Sequence, residues 1–397
     1  MAKTIIAVVI IIAILGGAYY TGMLNYNTIT SISPILSSPI NKITNKTLEK
    51  INTITPSLQN SHIDSKTANT STQPPTAPPV TISIPKIPIP AINNPPPEKP
   101  TDLASLYVYA LKIVNDDRKA HGLNPVALSG INSAQYHADD QLRLQYFSHW
   151  NSDGVKPYVV YTKLGGKGLV AENDYNKYSY CPTSNCVENT YDPYEEIKNG
   201  ENEMMTNDAA SHWGHRDNII DPHHTHVNFG IAYDNERFYF VENFENNLVN
   251  WQSLQLSNNR LHLLGTVPTG YSISQISIFS DSAPKILTST ELNTVSPYNL
   301  GYYDQGTLVG DIVPMPKENS RYVECTPGKI SLDTERGKDC VDYITFVNNS
   351  STPNGIDIYV DVSKWSGTGS LHTFYLSLKD QDNNEVEATS LTLEYLK

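Results

Sequence analysis

The chain has 397 residues, with 28 Lys and Arg against 41 Asp and Glu, a formal net charge of −13. That length exceeds one ordinary core, and that charge argues against nucleic acid or an anionic membrane surface as the main partner. Tyr is frequent (25) and Phe scarce (8), which suits exposed β-surface in an exported protein more than a cytosolic helical enzyme.

Ile5 to Tyr20 is nearly unbroken apolar sequence, and Lys3 is the only charge before Lys42. The run exceeds the roughly 7–15 residues of a signal-peptide core. Extended to Leu24, it approaches the roughly 20 residues that span a bilayer. Residues 1–23 are therefore expected to be a transmembrane anchor, or alternatively a signal cleaved near Gly16-Gly17-Ala18. The first reading leaves the protein on the cell surface; the second leaves it secreted. Residues 24–100 are rich in Ser, Thr, Asn and Pro and lack a sustained apolar period, so they read as a disordered stalk. A flexible chain of that length has an end-to-end distance of about 50 Å. Asn45-Lys46-Thr47 and Asn69-Thr70-Ser71 fit the glycan acceptor pattern, as do two overlapping matches within 348–351.

Order is expected from residue 101. Leu103, Leu106, Tyr107, Ala110, Leu111 and Val114 follow helical spacing, with Asp102 as N-cap and Gly122 past the end. A second helix is predicted over 130–146, with Ile131, Ala134, Ala138, Leu142 and Tyr146 on one face. A loop then carries His149. A third helix is predicted over 158–164, broken by Gly165, Gly166 and Gly168. Asp174 to Pro193 reads as a polar insertion loop pinned by Cys181 and Cys186, and a long helix is predicted over 194–212. Phe229–Tyr233 and Phe238–Val241 read as a β-hairpin around Asp234-Asn235-Glu236.

Three short blocks within this region bear the chemistry. They are Phe147-Ser148-His149, Ala171-Glu172-Asn173 and Gly214-His215-Arg216-Asp217-Asn218-Ile219. Two histidines and a carboxylate brought together from distant segments are the minimum kit for a divalent-metal site or an acid/base site. His223, His224 and His226 form a second cluster, in which His224 and His226 alternate like one face of a strand and could bind metal together; the plain reading is a solvated loop. No Gly-x-Ser-x-Gly, P-loop or H-E-x-x-H motif is present.

The ordered series Asn115-Asp116-Asp117-Arg118, Gly122-Leu123-Asn124-Pro125-Val126, Phe147-Ser148-His149, Asp153-Gly154, Glu172-Asn173, Gly214 to Ile219 and Gly230-Ile231-Ala232 resembles the CAP superfamily, the SCP-like extracellular domain. The resemblance covers about residues 102–248. It implies an α-β-α sandwich with a central cleft, hence an α+β fold. It also implies a cleft lined by two histidines and two acids, the histidines able to hold a divalent metal such as zinc. Carried over, the histidines are His149 and His215 and the first acid is Glu172. The second is Asp208, three residues after Met205 where the family often has an aromatic residue followed by Glu; Glu203 is the alternative.

Residues 251–397 show short alternating runs: Ile356, Ile358, Val360 and Val362; Phe374, Leu376 and Leu378; Leu391, Leu393 and Tyr395. With turns such as Asp380 to Asn384, they argue for an antiparallel β-sandwich and offer no site of their own. The expected divisions are thus 1–23, 24–100, 101–250 and 251–397. The four cysteines lie in two local pairs, with four residues between Cys181 and Cys186 and fourteen between Cys325 and Cys340. Local disulfides fit these spacings better than a four-thiolate zinc site, and disulfides imply an oxidising compartment.

These readings lead to an exported, anchored CAP-domain protein whose cleft binds a metal and an extracellular lipid, peptide or surface component. The enzymatic alternative is a metal-dependent hydrolase with Glu172, assisted by Asp208, as the acid/base group. The structural alternative is an adhesion protein with a vestigial cleft.

Overall fold

The computed structural model describes residues 102–179, 191–294, 306–318, 320–334, 337–365 and 370–396, all within one compact unit running from Pro90 to Lys397. The expected anchor, stalk and Cys181–Cys186 pair lie outside the described residues. Among those described, no helix is long and apolar enough to cross a membrane.

The first region is α+β. Its sheet holds β1 (Ala127–Leu128), β2 (Leu169–Tyr178), β3 (His226–Tyr233) and β4 (Arg237–Asn246) in the order β1-β3-β4-β2. β1 runs parallel to β3, and the other pairs are antiparallel. Helices cover both faces because β4 is apolar on both. Phe238, Phe240 and Phe244 pack against α1 (Leu103–Ala120), α4 (Pro193–Thr206) and α5 (Gly214–Ile219). Tyr239 and Val241 pack against Ala134, Ala138 and Leu142 of α2 (Ser133–Leu144). α2 lies close because Gly230 has no side chain; a Cβ there would sit 2.1 Å from the carbonyl oxygen of Ala134. α3 (Pro157–Lys163) stands at the side of the sheet that faces the second region.

Local chemistry sets the helix ends. Asp102 caps α1, accepting from the Ser105 amide at 3.3 Å, and Gly122 takes φ +75° beyond its end. Two expectations are corrected. Residues 174–178 belong to the edge strand β2, whose outer half is polar because only β4 pairs with it. The helix expected over 194–212 stops at Thr206, and a 3-10 turn follows at Ala209–Ser211. Thr206 turns its hydroxyl back onto the Asn202 carbonyl, and Asp208 commits its side chain to the next helix.

The second region is mostly β. One sheet has the order β14-β13-β7-β8-β11-β10-β9 and the other β12-β6-β5. In chain order the strands are β5 (Asn250–Ser257), β6 (Arg260–Thr266), β7 (Ser272–Asp281), β8 (Thr307–Pro314), β9 (Glu324–Thr326), β10 (Lys329–Thr334), β11 (Gly337–Phe346), β12 (Gly355–Asp361), β13 (Leu371–Lys379) and β14 (Glu385–Thr392); α6 (Ser289–Thr294) precedes β8. Leu261, Leu263, Ile356 and Ile358 of the small sheet meet Ile276, Ile278, Ile312, Phe374 and Leu376 of the large one in a single core. Most pairs are antiparallel as expected, but β8 and β11 are parallel. The β9–β10 excursion between them supplies the long crossover that parallel neighbours need. The last run also differs: β14 ends at Thr392, and Leu393–Tyr395 form a 3-10 turn. Asp380 ties the β13–β14 turn by accepting from the Asp382 and Asn384 amides. Cys325 and Cys340 are joined, linking β9 to β11.

The two regions are fastened together. The Ser390 amide of β14 donates to the Gly168 carbonyl at 3.1 Å, and the Val170 amide of β2 donates to Ser390 Oγ at 3.0 Å. Lys156 Nζ meets Asp281 Oδ1 at 2.6 Å in a buried ion pair. Leu287 and Leu292 pack on Tyr146, beside the loop that holds His149.

Candidate functional site

The three blocks converge. His149 comes from the loop after α2, Glu172 from the middle of β2 and His215 from the first turn of α5, and all three line one cleft of about 750 Å³. Each histidine is held from behind by a carboxylate. His149 Nδ1 lies 3.0 Å from Glu172 Oε1, and His215 Nδ1 lies 2.6 Å from Asp208 Oδ1. Such a partner fixes the ring's orientation and tautomer.

Asp208 sits where it does because α5 lacks a cap of its own. Trp213 precedes the helix in the left-handed region and offers no capping side chain. The other Asp208 oxygen takes the role from a distance, accepting from the His215 amide at 2.9 Å and the Arg216 amide at 3.3 Å. His212 and Trp213 are both left-handed, with φ of 55° and 67°. Two such residues in succession store backbone strain beside His215. Arg216 stacks over Trp213 at 4.4 Å and braces the turn.

Glu172 is more heavily engaged than its sequence context suggests. Its Oε1 also lies 3.7 Å from Nε2 of the buried His137, which stands 3.6 Å from Asp174 Oδ2. With its amide nitrogen turned toward Glu172, Asn243 donates to Oε2 at 3.0 Å. Burial opposes a charge on His137, but Glu172 and then Asp174 outweigh it and push its pKa up to about 10. His149 moves the same way: burial lowers its pKa, and the hydrogen bond and charge of Glu172 reverse that into a net rise.

Asn173 ties the wall together. Its amide donates to the His215 carbonyl at 3.1 Å and to Glu242 Oε2 at 3.2 Å, and it accepts from Asn218 at 2.9 Å. Behind it, Glu242 and Glu201 are fully buried. Burial raises the pKa of both, Glu242 to about 7, and the charge of Glu242 raises Glu201 further.

The second histidine cluster is neither a metal pair nor a solvated loop. His224 is 4% exposed, stacks on Phe244, and engages Asn246 and Asn218 through its two ring nitrogens. Burial lowers its pKa to about 4. His226 opens β3 and contacts Thr225. Glu203, the other candidate for the fourth corner, is exposed on α4 and outside the cleft lining.

Sequence reasoning missed two groups. His137 and Gln141 lie on the same α2 face as Ala134 and Ala138, and two polar residues within a buried stripe were the available signal. Tyr375 of β13 and Glu387 of β14 also line the cleft. The second region thus contributes to the site, against the expectation that it offers none.

Among the described residues, no group of three or more His, Cys, Asp and Glu side chains gathers around one metal position.

Residues 111–244 match the family model described as CAP, the cysteine-rich secretory protein family. No curated protein matches the chain. Among solved structures, it is similar to an extracellular protein containing a SCP domain from Bacillus anthracis str. Ames, at 18% identity over 36% of this chain and 40% of that one, with a TM-score of 0.28. It is also similar to the CAP domain of Enterococcal PrgA, at 17% identity over 36% of this chain and 60% of that one, with a TM-score of 0.25. The chain thus spans less than two thirds of either structure.

Proposed function

We propose, from the premise that this chain carries a CAP domain, that it is an exported binding protein whose cleft takes an extracellular ligand at a divalent-metal site made by His149 and His215. The observation that supports this reading is that two carboxylate-backed histidines line the same cleft. Nδ1 of each ring faces its acid, and a metal at this site would be held by the two imidazoles. A zinc ion held there would act as a Lewis acid for a ligand's oxygen or nitrogen. The Cys325–Cys340 disulfide is consistent with export, and the apolar run over 1–23 supports anchoring at the cell surface.

Binding is favoured over hydrolysis by the engagement of Glu172. Glu172 Oε1 is tied to His149 Nδ1 at 3.0 Å, the arrangement of a carboxylate that orients a ligand ring. Zinc calorimetry on the wild type and on His149→Ala, His215→Ala and Glu172→Gln tests the reading. Each histidine variant is expected to abolish zinc binding, and Glu172→Gln to weaken it by about 10–100-fold. Unchanged affinity in both histidine variants would remove the metal from the cleft.

A further inference from the structure

The buried face of α4 recurs at Ile197, Gly200, Glu201, Met204 and Met205, and one member of that stripe is an acid. On β4 the alternating positions Phe238, Phe240, Glu242 and Phe244 share one face, and again one is an acid. The apolar members of the two stripes meet in a single core, so both acids stand where a core would carry Leu or Phe. Gly200 lets α4 approach closely; a Cβ there would lie 2.8 Å from the Tyr175 ring. Among the described residues, no N–H or O–H reaches either oxygen of Glu201 or Oε1 of Glu242. What these oxygens meet is the opposite carboxyl, and Glu201 also meets Asp117 of α1. Two carboxyls in contact are bonded only when one keeps its proton, its O–H donating to the other's oxygen.

The groups around the pair do not substitute for that proton. His121, past the end of α1, faces Asp117. Arg118 donates to the carbonyls of Asn124, Ile219, Asp221 and His224. Tyr175 of β2 points its hydroxyl at Glu196, and Asn173 reaches only Oε2 of Glu242. The same two acids end the two tethers of His215. One tether runs through the sheet, where Asn173 donates both to the His215 carbonyl and to Glu242. The other runs through α4, which leads from Thr206 to Asp208 in two residues; Asp208 holds the His215 and Arg216 amides and faces the His215 ring.

We propose that Glu201 and Glu242 form a proton-operated latch, which clamps α4 to β4 while the pair shares a proton and loosens Asp208 from His215 when the proton is lost. The inference goes beyond the reading of the cleft as a ligand site and requires no metal there. Burial pushes Glu242 up to about 7, and burial with the charge of Glu242 raises Glu201. The proton is therefore kept below that range and lost above it, leaving two buried carboxylates that repel. α4 yields before β4 does, because β4 is hydrogen-bonded to β2 on one side and β3 on the other, whereas α4 is held by side-chain packing. The part of the cleft that bears His215 is thus firm below neutrality and loose above it.

Hydrogen exchange on the full chain, without metal or ligand, tests the latch, read as protection factors corrected for the intrinsic effect of pH. The His215 and Arg216 amides report directly, since both donate to Asp208. Between pH 6 and pH 8 their protection should fall by about tenfold or more, while the Phe374 and Leu376 amides of β13 change less. Glu201→Gln and Glu242→Gln each put a permanent amide N–H in place of the shared proton. Both variants should therefore keep, at pH 8, the protection that the wild type shows at pH 6. Either variant decides the matter if the other does not fold. Wild-type protection that ignores pH, a decline that persists in a folded variant, or an equal loss at β13 would each overturn the proposal.

Discussion

The two halves of the described structure bury different things. The α+β region encloses Arg118, His137, Asp140, His149, Lys156, Asp174, Glu201, Asp208, His224, Glu242 and Glu245. The β region, among its described residues, buries only Asp311 and His372 of that kind and fills its core with Leu, Ile, Val and Phe. Burying ionisable groups is costly unless they are paired, so their concentration sets the α+β region apart. The β region supplies apolar stability and lends the cleft a wall. Neither half is independent, because the loop bearing His149 is flanked by Lys156 on Asp281 and by Tyr146 on Leu287.

The sharpest way to break this comparison is to damage the apolar half and observe the other. Phe374 is fully buried, and Phe374→Ala should cost about 3–5 kcal/mol. If the halves are one cooperative unit, fluorescence and far-ultraviolet circular dichroism will report a single shifted denaturation curve. Two separated transitions, with the α+β region melting unchanged, would divide the molecule.

A second test exploits the buried acids. Burial, joined for Glu201 by the charge of Glu242, makes both groups hold their protons more tightly folded than unfolded. The folded state therefore binds more protons between the ordinary carboxylate range and the raised values. Stability is fully present at the acidic end and falls as pH rises through about 7, the value to which Glu242 is pushed. Glu201→Gln should flatten that decline by on the order of 1–3 kcal/mol, measured by urea denaturation between pH 5 and pH 8. An identical slope in the variant would deny the pair its role. Asp311 in the β region is also pushed up to about 7 by burial, so Asp311→Asn measures how much of the slope belongs there.

The smallest expected effect is also the most local. Asp208→Ala removes both the cap of α5 and the partner of His215 Nδ1. It should cost about 0.5–2 kcal/mol in stability and, under the metal reading, about 10–100-fold in zinc affinity. A loss of stability with zinc affinity intact would reduce Asp208 to a cap.

Much of this was legible in the sequence, and the exceptions have physical reasons. The apolar period placed α1 and α2 to within a few residues, since a stripe of Leu, Ala and Val has one way to face a core. The three blocks that meet at the cleft stood out because each sets a polar side chain among turn-forming neighbours. His137 escaped notice because a search for apolar period passes over polar residues on a buried face. The outer half of β2 read as a loop because an edge strand paired on one side tolerates Asp, Asn and Lys. Tyr375 and Glu387 left no local trace at all. Their place on the cleft comes from how two sheets meet, and alternation along a single strand is silent on that.

The contact between Val170 and Ser390 joins residues 220 positions apart. A chain made from its N-terminus therefore emerges with β2 exposed on one flank long before the strand that shelters it exists. Throughout that interval the bare edge resembles the one an aggregating neighbour seeks. Completion of the cleft is thus tied to the clock of synthesis, and its walls close in the reverse of the order in which their importance would be guessed: the histidines come first, and the strand that encloses them arrives last.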